Sequence, residues 1–242
     1  MALTNKPLCI WFDLDDTLIT TSESLIAAVR ASTLCLQTVH PELNEHDIAR
    51  NSMDVWLTEL GPGTPGFATL SQMSLDAFRS HIACGTLKRM GIEGFDTDEL
   101  IQCSARAEET AWMCYPGVDH LLDDLKMRGI PVGLISNGPT ALQNHKLSTC
   151  NLHKYFDHIL LDSEVGISKP DTRIFDAAAE RMSGFHHVMI GNDPDADING
   201  ALRSNWTAYW FVPGWFGTTK PTEMGYIPIQ HHREILDNLT KG

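Results

Sequence analysis

The sequence has few basic residues, no paired cysteine motif and no long apolar run. Its 18 Lys and Arg against 31 Asp and Glu give a formal net charge of −13, which argues against nucleic acid or an anionic membrane as the main partner. The six cysteines are scattered without a CxxC pair, so we expect reduced thiols rather than a zinc site or a disulfide framework. No run is long enough to cross a bilayer, and the N-terminus lacks a signal-like segment. These absences favour a cytoplasmic globular protein, and they leave a small anionic substrate possible. A monomer and a homodimer are both open.

Apolar residues make up 43% of the chain, enough for a sizeable core. From about residue 113, short apolar runs alternate with helical patterns. Together with the first apolar run, they predict strands at residues 8–12, 131–135, 158–161, 187–190 and 207–212. Strands that alternate with helices indicate a doubly wound parallel sheet, an α/β fold. In such sheets ligands bind outside the carboxyl ends of the strands.

The long segment between the first and second strands has only helical patterns. Its first helix is expected to bury one apolar face, formed by Leu25, Ile26, Val29 and Leu36. We therefore predict an all-helical domain over residues 19–112, inserted into an α/β core domain formed by residues 1–18 and 113–242.

An acidic stretch follows the first predicted strand. Asp13 and Asp15 are two positions apart, so both side chains can lie on the same face at the end of the strand. Burying two carboxylates is costly, and a bound Mg²⁺, which prefers oxygen ligands, would reduce the cost. The same pair offers a nucleophile and an acid/base group. The alternative is a strand followed by a solvated acidic turn.

Three later segments that follow predicted strands also carry polar side chains. These are Ser136-Asn137, Lys169, and Asn192-Asp193 together with Asp197. Phosphoryl transfer needs a nucleophile, a metal ion, donors to the phosphoryl oxygens and a fixed cation, and each need has a candidate here.

Four motifs thus occur in order: Asp13-Leu14-Asp15-Asp16-Thr17, Ile135-Ser136-Asn137, Ser168-Lys169-Pro170 and Gly191-Asn192-Asp193-Pro194-Asp195-Ala196-Asp197-Ile198. Together they resemble the haloacid dehalogenase superfamily of phosphohydrolases. The resemblance implies a Rossmann-like core, and it implies that the helical insert is a cap domain. The stretch that begins at Ser136-Asn137-Gly138-Pro139-Thr140 is most similar to the nucleotidase and sugar-phosphate phosphatase branch.

The resemblance also implies roles for individual residues. Asp13 would attack phosphorus, Asp15 would act as acid and base, and Lys169 would balance the charge of Asp13 and the phosphoryl group. Substrate binding would involve Thr17, Ser136 and Asn137. The substrate would be a small phosphorylated metabolite. Mg²⁺ would be held by a set chosen from Asp13, Asp15, Asn192, Asp193 and Asp197.

One position departs from the family pattern. Asn192 occupies the place where the family usually has Asp, and Asp193 follows it. Either Asn192 is a neutral ligand, or Asp193 takes over part of the role. The departure keeps two alternatives open: a haloacid dehalogenase with the same nucleophile, and a catalytically silent binding protein. Asp15 favours phosphate over halide, because a halide leaving group needs no proton.

Two histidine pairs, His186-His187 and His231-His232, have no metal-binding spacing. We expect them on the surface or in turns.

Overall fold

The structure is a computed structural model that describes residues 6–212 and 219–239, so residues 1–5, 213–218 and 240–242 of the predicted core domain lie outside the described residues. It divides into two compact units. The first comprises Met1–Ile19, Met113–Asn137 and Cys150–Gly242, and the second Thr20–Trp112 and Gly138–Thr149. The sequence-based division placed residue 19 in the helical domain and residues 138–149 in the core domain. The structure instead groups residue 19 with the first unit and residues 138–149 with the second.

A six-stranded parallel sheet forms the centre of the first unit and confirms the predicted α/β class. Its strands are β1 (Leu8–Phe12), β2 (Val132–Ser136), β3 (His158–Leu161), β4 (His186–Gly191), β5 (Thr207–Phe211) and β6 (Ile227–Ile229). The spatial order is β3-β2-β1-β4-β5-β6, with every neighbouring pair parallel. The order reverses at β1, and this reversal creates the position where parallel α/β sheets bind ligands.

The helices are, in chain order, α1 (Thr21–Leu36), α2 (Glu45–Val55), α3 (Leu75–Met90), α4 (Thr97–Ala111), α5 (Val118–Met127), α6 (Thr140–Thr149), α7 (Asp162–Val165), α8 (Thr172–Arg181), α9 (Gly200–Arg203) and α10 (Arg233–Leu239). Residues 56–60 continue α2 as a π-helical turn, and residues 194–199 form another before α9. No helix among the described residues is both long and apolar enough to cross a membrane.

The central strand β1 is buried along most of its length because it is covered on both faces. Cys9, Ile10, Trp11 and Phe12 have no exposed surface. Trp11 lies opposite Gly133 of β2, and a side chain at Gly133 would collide with the indole ring. The lack of a side chain at residue 133 therefore allows the large ring to pack beside the neighbouring strand.

Two elements at the end of the chain were not predicted from the sequence. Strand β6 has only three residues and contains Pro228, which lacks a backbone N–H. Such a strand is tolerated at a sheet edge, and among the described strands β6 is at the edge and pairs with β5. Helix α10 follows it after three residues.

The second unit contains no strand between residues 20 and 112, all of which the structure describes. Helix α1 packs against α4. The predicted apolar face of α1 is wrong at Leu25 and Ile26, which are 48% and 55% exposed, whereas Leu36 is buried.

Small hydroxyl residues occupy much of the buried face of α1 instead. Ser24, Ser32 and Thr33 are buried, and each hydroxyl donates to a backbone carbonyl three or four residues earlier. Because each hydroxyl has a local acceptor, burial costs little, and hydropathy alone does not identify this face.

Candidate active site

A tight turn follows β1 and carries the first acidic motif. The Asp13 N–H donates to Ile190 O at 2.9 Å and so continues the pairing with β4. The carbonyl of Leu14 then accepts the N–H groups of Thr17, Leu18 and Ile19 at 3.4, 2.9 and 3.2 Å. This turn keeps Asp13, Asp15 and Thr17 together at the carboxyl end of the central strand.

Lys169 lies at the centre of a buried ionic cluster. Its ammonium donates to Asp13 Oδ1 at 2.7 Å, to Asp197 Oδ1 at 2.7 Å and to Ile135 O at 2.8 Å. Lys169, Asp13 and Asp197 are at most 6% exposed. The three donors of the ammonium therefore all have acceptors, and Lys169 bridges the ends of β1, β2 and β4.

The electrostatics of this cluster follow from its burial. Burial lowers the pKa of Lys169, but Asp13 and Asp197 outweigh that effect and raise the pKa above the ordinary value. Burial also raises the pKa of Asp13, against the opposing effect of Lys169. Two carboxylates face one ammonium, so the ionised cluster has one negative charge in excess and favours a further cation nearby.

Asn137 fixes the backbone of Lys169 on the side of β2. Its amide Nδ2 donates to Lys169 O at 2.9 Å, and the Lys169 N–H donates to Asn137 Oδ1 at 2.9 Å. Ser136, the last residue of β2, is fully buried directly before it. Their predicted role in substrate binding stays a prediction, and the structure gives Asn137 a clear part in holding Lys169.

The Thr17 hydroxyl lies between two oxygens of the predicted metal site. It is 3.0 Å from Asp13 Oδ2 and 3.2 Å from Asn192 Oδ1. The backbone of Asn192 is fixed from the other side, because Trp210 Nε1 donates to its carbonyl at 3.0 Å. Thr17 thus links the acidic motif after β1 to the motif after β4.

Asp193 and Asp197, which follow Asn192, accept hydrogen bonds from within the protein. Asp193 Oδ1 accepts from the N–H groups of Asp195 and Ala196 at 2.8 and 2.7 Å, and so caps the turn at residues 194–199. Asp197 Oδ1 accepts from Lys169, and Oδ2 accepts from the Asp193 N–H at 2.9 Å. A side chain at Gly191 would collide with the Asp197 carboxylate, which explains the glycine there.

Among the described residues, no group of three or more His, Cys, Asp or Glu side chains converges so as to hold a metal ion. Two oxygen atoms that could bind a metal ion do converge: Asp13 Oδ2 and Asn192 Oδ1 both face the Thr17 hydroxyl. Mg²⁺ is commonly held by one or two carboxylates and keeps several waters. One carboxylate, one amide oxygen and the excess negative charge of the Lys169 cluster therefore fit Mg²⁺ with few protein ligands.

The structure places His232 in a turn before α10, which is one of the two expected settings, but not on the surface. Its ring is buried, and Nε2 lies 2.8 Å from Thr17 O. His187 likewise stacks on Trp206, with ring centroids 4.6 Å apart. No local pattern signals the contact of His232, because Thr17 is 215 residues away in the chain.

Comparison with known proteins relates this geometry to a family. A family model described as haloacid dehalogenase-like hydrolase matches residues 8–205. The glyceraldehyde 3-phosphate phosphatase of Methanopyrus kandleri is 26% identical over 241 residues, which cover 94% of this chain and 95% of that protein. The pyrimidine 5'-nucleotidase YjjG of Escherichia coli is 33% identical over 98 residues, which cover 39% of this chain and 43% of that protein.

Other curated relatives match over part of their length, and the chain spans 42% and 61% of two of them. Among solved structures, the HAD-hydrolase YfnB from Bacillus subtilis, bound to magnesium, superposes with a TM-score of 0.67 at 21% identity. The match covers 97% of this chain and 99% of that one. This likeness concerns the fold.

Proposed function

The chain belongs to the haloacid dehalogenase-like hydrolases, and we propose that within this family it is a Mg²⁺-dependent phosphatase of small phosphate monoesters. The observation that carries the proposal is the buried bridge from Lys169 to Asp13 and Asp197, beside a Thr17 hydroxyl that faces Asp13 and Asn192. A charged carboxylate held by a fixed cation at the mouth of a parallel sheet suits nucleophilic attack on a phosphoryl group.

We propose that Asp13 is the nucleophile. One of its carboxylate oxygens attacks phosphorus, the bond to the leaving oxygen breaks, and an aspartyl phosphate forms. Lys169 stabilises the negative charge of the carboxylate and of the phosphoryl oxygens. Ser136 and Thr17 would donate to those oxygens, and Asn137 would keep Lys169 in place and stay close to the phosphoryl group.

Asp15 is proposed as the acid and base. In the first step it gives a proton to the leaving oxygen, so that an alcohol departs. In the second step its carboxylate takes a proton from water, the water oxygen bonds to phosphorus, and the bond to Asp13 breaks. Inorganic phosphate leaves, and both carboxyl groups return to their starting states.

The metal ligands we propose are the carboxylate of Asp13, the backbone carbonyl of Asp15 and the amide oxygen of Asn192. Mg²⁺ bound there would supply positive charge against the phosphoryl oxygens. Asp193 and Asp197 would act indirectly, because Asp193 Oδ1 holds the helical turn and Asp197 Oδ1 holds Lys169. Asn192 would thus serve as the neutral ligand.

We propose a small phosphorylated metabolite as the substrate, rather than a nucleic acid polymer or a membrane. The relatives named as a glyceraldehyde 3-phosphate phosphatase and a nucleotidase support this class, as does the net charge of −13. The helical unit is proposed as the cap that selects the substrate. A cytoplasmic location agrees with six free cysteines.

The experiment is a phosphate-release assay of purified protein with an aryl phosphate, glyceraldehyde 3-phosphate and pyrimidine nucleotides, with Mg²⁺ and with a chelator. Asp13→Asn should lower kcat by roughly a thousandfold or more, because it removes the nucleophilic oxygen. Release of halide from a haloacid without phosphatase activity would favour the dehalogenase. Absence of both activities in folded protein would favour a silent binding protein.

Asp15→Asn provides a second, more specific test. On an alkyl phosphate, whose leaving group needs a proton, kcat should fall by roughly a hundredfold to ten-thousandfold. On an aryl phosphate with a good leaving group, the rate of aspartyl phosphate formation should fall less, which a burst experiment measures. Equal losses of this rate on both substrates would contradict the acid role.

A further inference from the structure

His232 is held in place by the edge of the sheet. Phe211 at the end of β5 pairs with Ile229 at the end of β6, and the Val212 N–H donates to Ile229 O at 2.8 Å. Glu234 Oε1 accepts from the N–H groups of residues 230 and 231 at 2.9 and 2.7 Å. The backbone is therefore anchored on both sides of His232, directly before α10.

The buried ring of His232 makes a hydrogen bond to the backbone of Thr17. It is 1% exposed and packs against Phe211, with ring centroids 4.3 Å apart. Because the carbonyl of Thr17 can only accept, Nε2 carries the proton and donates to it at 2.8 Å. Burial lowers the pKa of His232 to about 4, so the ring is neutral at neutral pH and adds no charge near the acidic site.

Thr17 needs such an anchor because its backbone N–H makes only a long hydrogen bond. The Thr17 N–H reaches Leu14 O at 3.4 Å, beyond the usual range for a strong N–H···O bond. Its hydroxyl, in contrast, must keep a position 3.0 Å from Asp13 Oδ2 and 3.2 Å from Asn192 Oδ1. The shortest hydrogen bond to the Thr17 backbone among those described is the one from His232.

We propose that His232 is a positioning residue: by donating to Thr17 O, it fixes the hydroxyl of Thr17 against Asp13 and Asn192. This role rests on the proposed function, in which Asp13 attacks phosphorus. His232 touches neither substrate nor reacting atoms in this scheme. It acts through Thr17 and determines how well the reacting carboxylate is oriented.

The first test compares three variants in the phosphate-release assay. His232→Phe fills the ring volume but removes the donor, and it should lower kcat by about tenfold or more with KM within about twofold. His232→Gln can place an amide N–H near the position of Nε2 and should retain most of kcat. The matched control is His187→Phe, at the opposite end of β4 from Asn192, which should leave kcat unchanged. Thermal unfolding checks that the variants are folded.

The second test separates positioning from a general structural effect. In a Thr17→Val background the hydroxyl is already absent, so His232→Phe should reduce kcat by less than about twofold further. The same loss in both backgrounds would overturn the proposal, and so would a folded His232→Phe protein with wild-type kcat.

Amide hydrogen exchange gives a readout that needs no activity. The N–H groups of Leu18 and Ile19, which bond to Leu14 O, should exchange about tenfold faster in His232→Phe, and at the wild-type rate in His187→Phe. If the wild-type protein hydrolyses no phosphate monoester, the proposed function fails, and exchange alone decides the role of His232. Unchanged exchange in His232→Phe would then overturn the positioning role.

Discussion

Each of the two compact units contains a cluster in which one cation bridges two carboxylates. The members are Lys169 with Asp13 and Asp197 in the first unit, and Arg79 with Glu108 and Glu109 in the second. The ionic chemistry is the same, but the side chains of the first cluster are 2%, 9% and 0% exposed, and those of the second 15%, 13% and 34%. Solvent therefore screens the second cluster and hardly reaches the first.

Burial also reverses the direction in which the carboxyl pKa values shift. In the first cluster burial, helped by the charges of Asp197 and Asp15, raises the pKa of Asp13 although Lys169 lowers it. In the second, burial raises the pKa of Glu109 but Arg79 and His145 together lower it below the ordinary value. A carboxylate whose ionised form is destabilised by burial is suited to react. A carboxylate whose ionised form is stabilised by its neighbours is suited to hold helices together.

The largest effect is expected where the deeply buried cation is removed. Lys169→Met keeps the length of the side chain but leaves two buried carboxylates without a counter-charge. The free energy of unfolding should fall by about 3–5 kcal/mol, and kcat by roughly a thousandfold. Denaturant unfolding and the phosphate-release assay measure the two losses.

The stability loss in Lys169→Met should depend on pH. Without the ammonium, the pKa values of Asp13 and Asp197 in the folded state rise further above those of the unfolded chain. The folded variant then binds protons more readily, so its deficit should shrink as pH falls from about 8 to about 5. If the loss in free energy of unfolding stays constant over this range, Asp13 and Asp197 are not buried as the structure indicates.

The buried cluster could be predicted because its members follow parallel strands. Asp13, Lys169 and the segment from Asn192 to Asp197 are far apart in the chain, yet the carboxyl ends of parallel strands meet at one edge. Contacts in the structure join them through Lys169 and Thr17. What the sequence did not reveal is that Asp193 Oδ1 and both oxygens of Asp197 accept hydrogen bonds within the protein.

Other features could not be predicted because they depend on tertiary contacts without a local pattern. His232 is buried between β6 and α10 in the chain, and both elements are too short to show a periodicity. Leu25 and Ile26 gave an apolar pattern, but α1 buries small hydroxyl residues satisfied by its own backbone. Likewise, no pattern distinguishes the partly exposed cluster around Arg79 from the buried one around Lys169.

A smaller effect is expected from a change of charge at the mouth of the buried cluster. Asn192→Asp adds one negative charge next to Asp13 Oδ2, in nearly the same volume. A charge pair at ~4 Å near a surface is worth up to ~4 kcal/mol before desolvation is subtracted. We expect Mg²⁺ to bind about three- to tenfold more tightly, measured by calorimetry on the folded protein and by the Mg²⁺ dependence of activity.

Asp193→Asn is the matched control for that substitution. The Asp193 side chain accepts from the N–H groups of Asp195 and Ala196, and an Asn side chain can cap a helical turn in the same way. Mg²⁺ affinity should therefore change little in this variant. If Asp193→Asn weakens Mg²⁺ binding sharply and Asn192→Asp does not strengthen it, then Asp193 holds the metal and Asn192 does not.

The smallest effect is expected from Arg79→Met, which removes the cation of the partly exposed cluster. Arg79 Nη2 lies 2.6 Å from Glu109 Oε1, but the pair is partly open to solvent, and such pairs contribute about 1 kcal/mol or less. Arg79 Nε is buried without a hydrogen-bond partner among the described residues, and its removal offsets part of the loss. Denaturant unfolding should show this small deficit, with kcat on an aryl phosphate unchanged.

The pH dependence of the Arg79→Met deficit distinguishes the two clusters. Glu109 has a lowered pKa in the folded state, so its pairing stabilises the fold above the ordinary glutamate value of about 4.3 and is lost as pH falls through the lowered value. The deficit of Arg79→Met should thus persist from neutral pH to about pH 5 and vanish only at lower pH. The deficit of Lys169→Met should already be shrinking in that range. The two substitutions remove the same charge. If the loss in free energy of unfolding followed the same pH profile in both variants, burial would not be what distinguishes the two clusters.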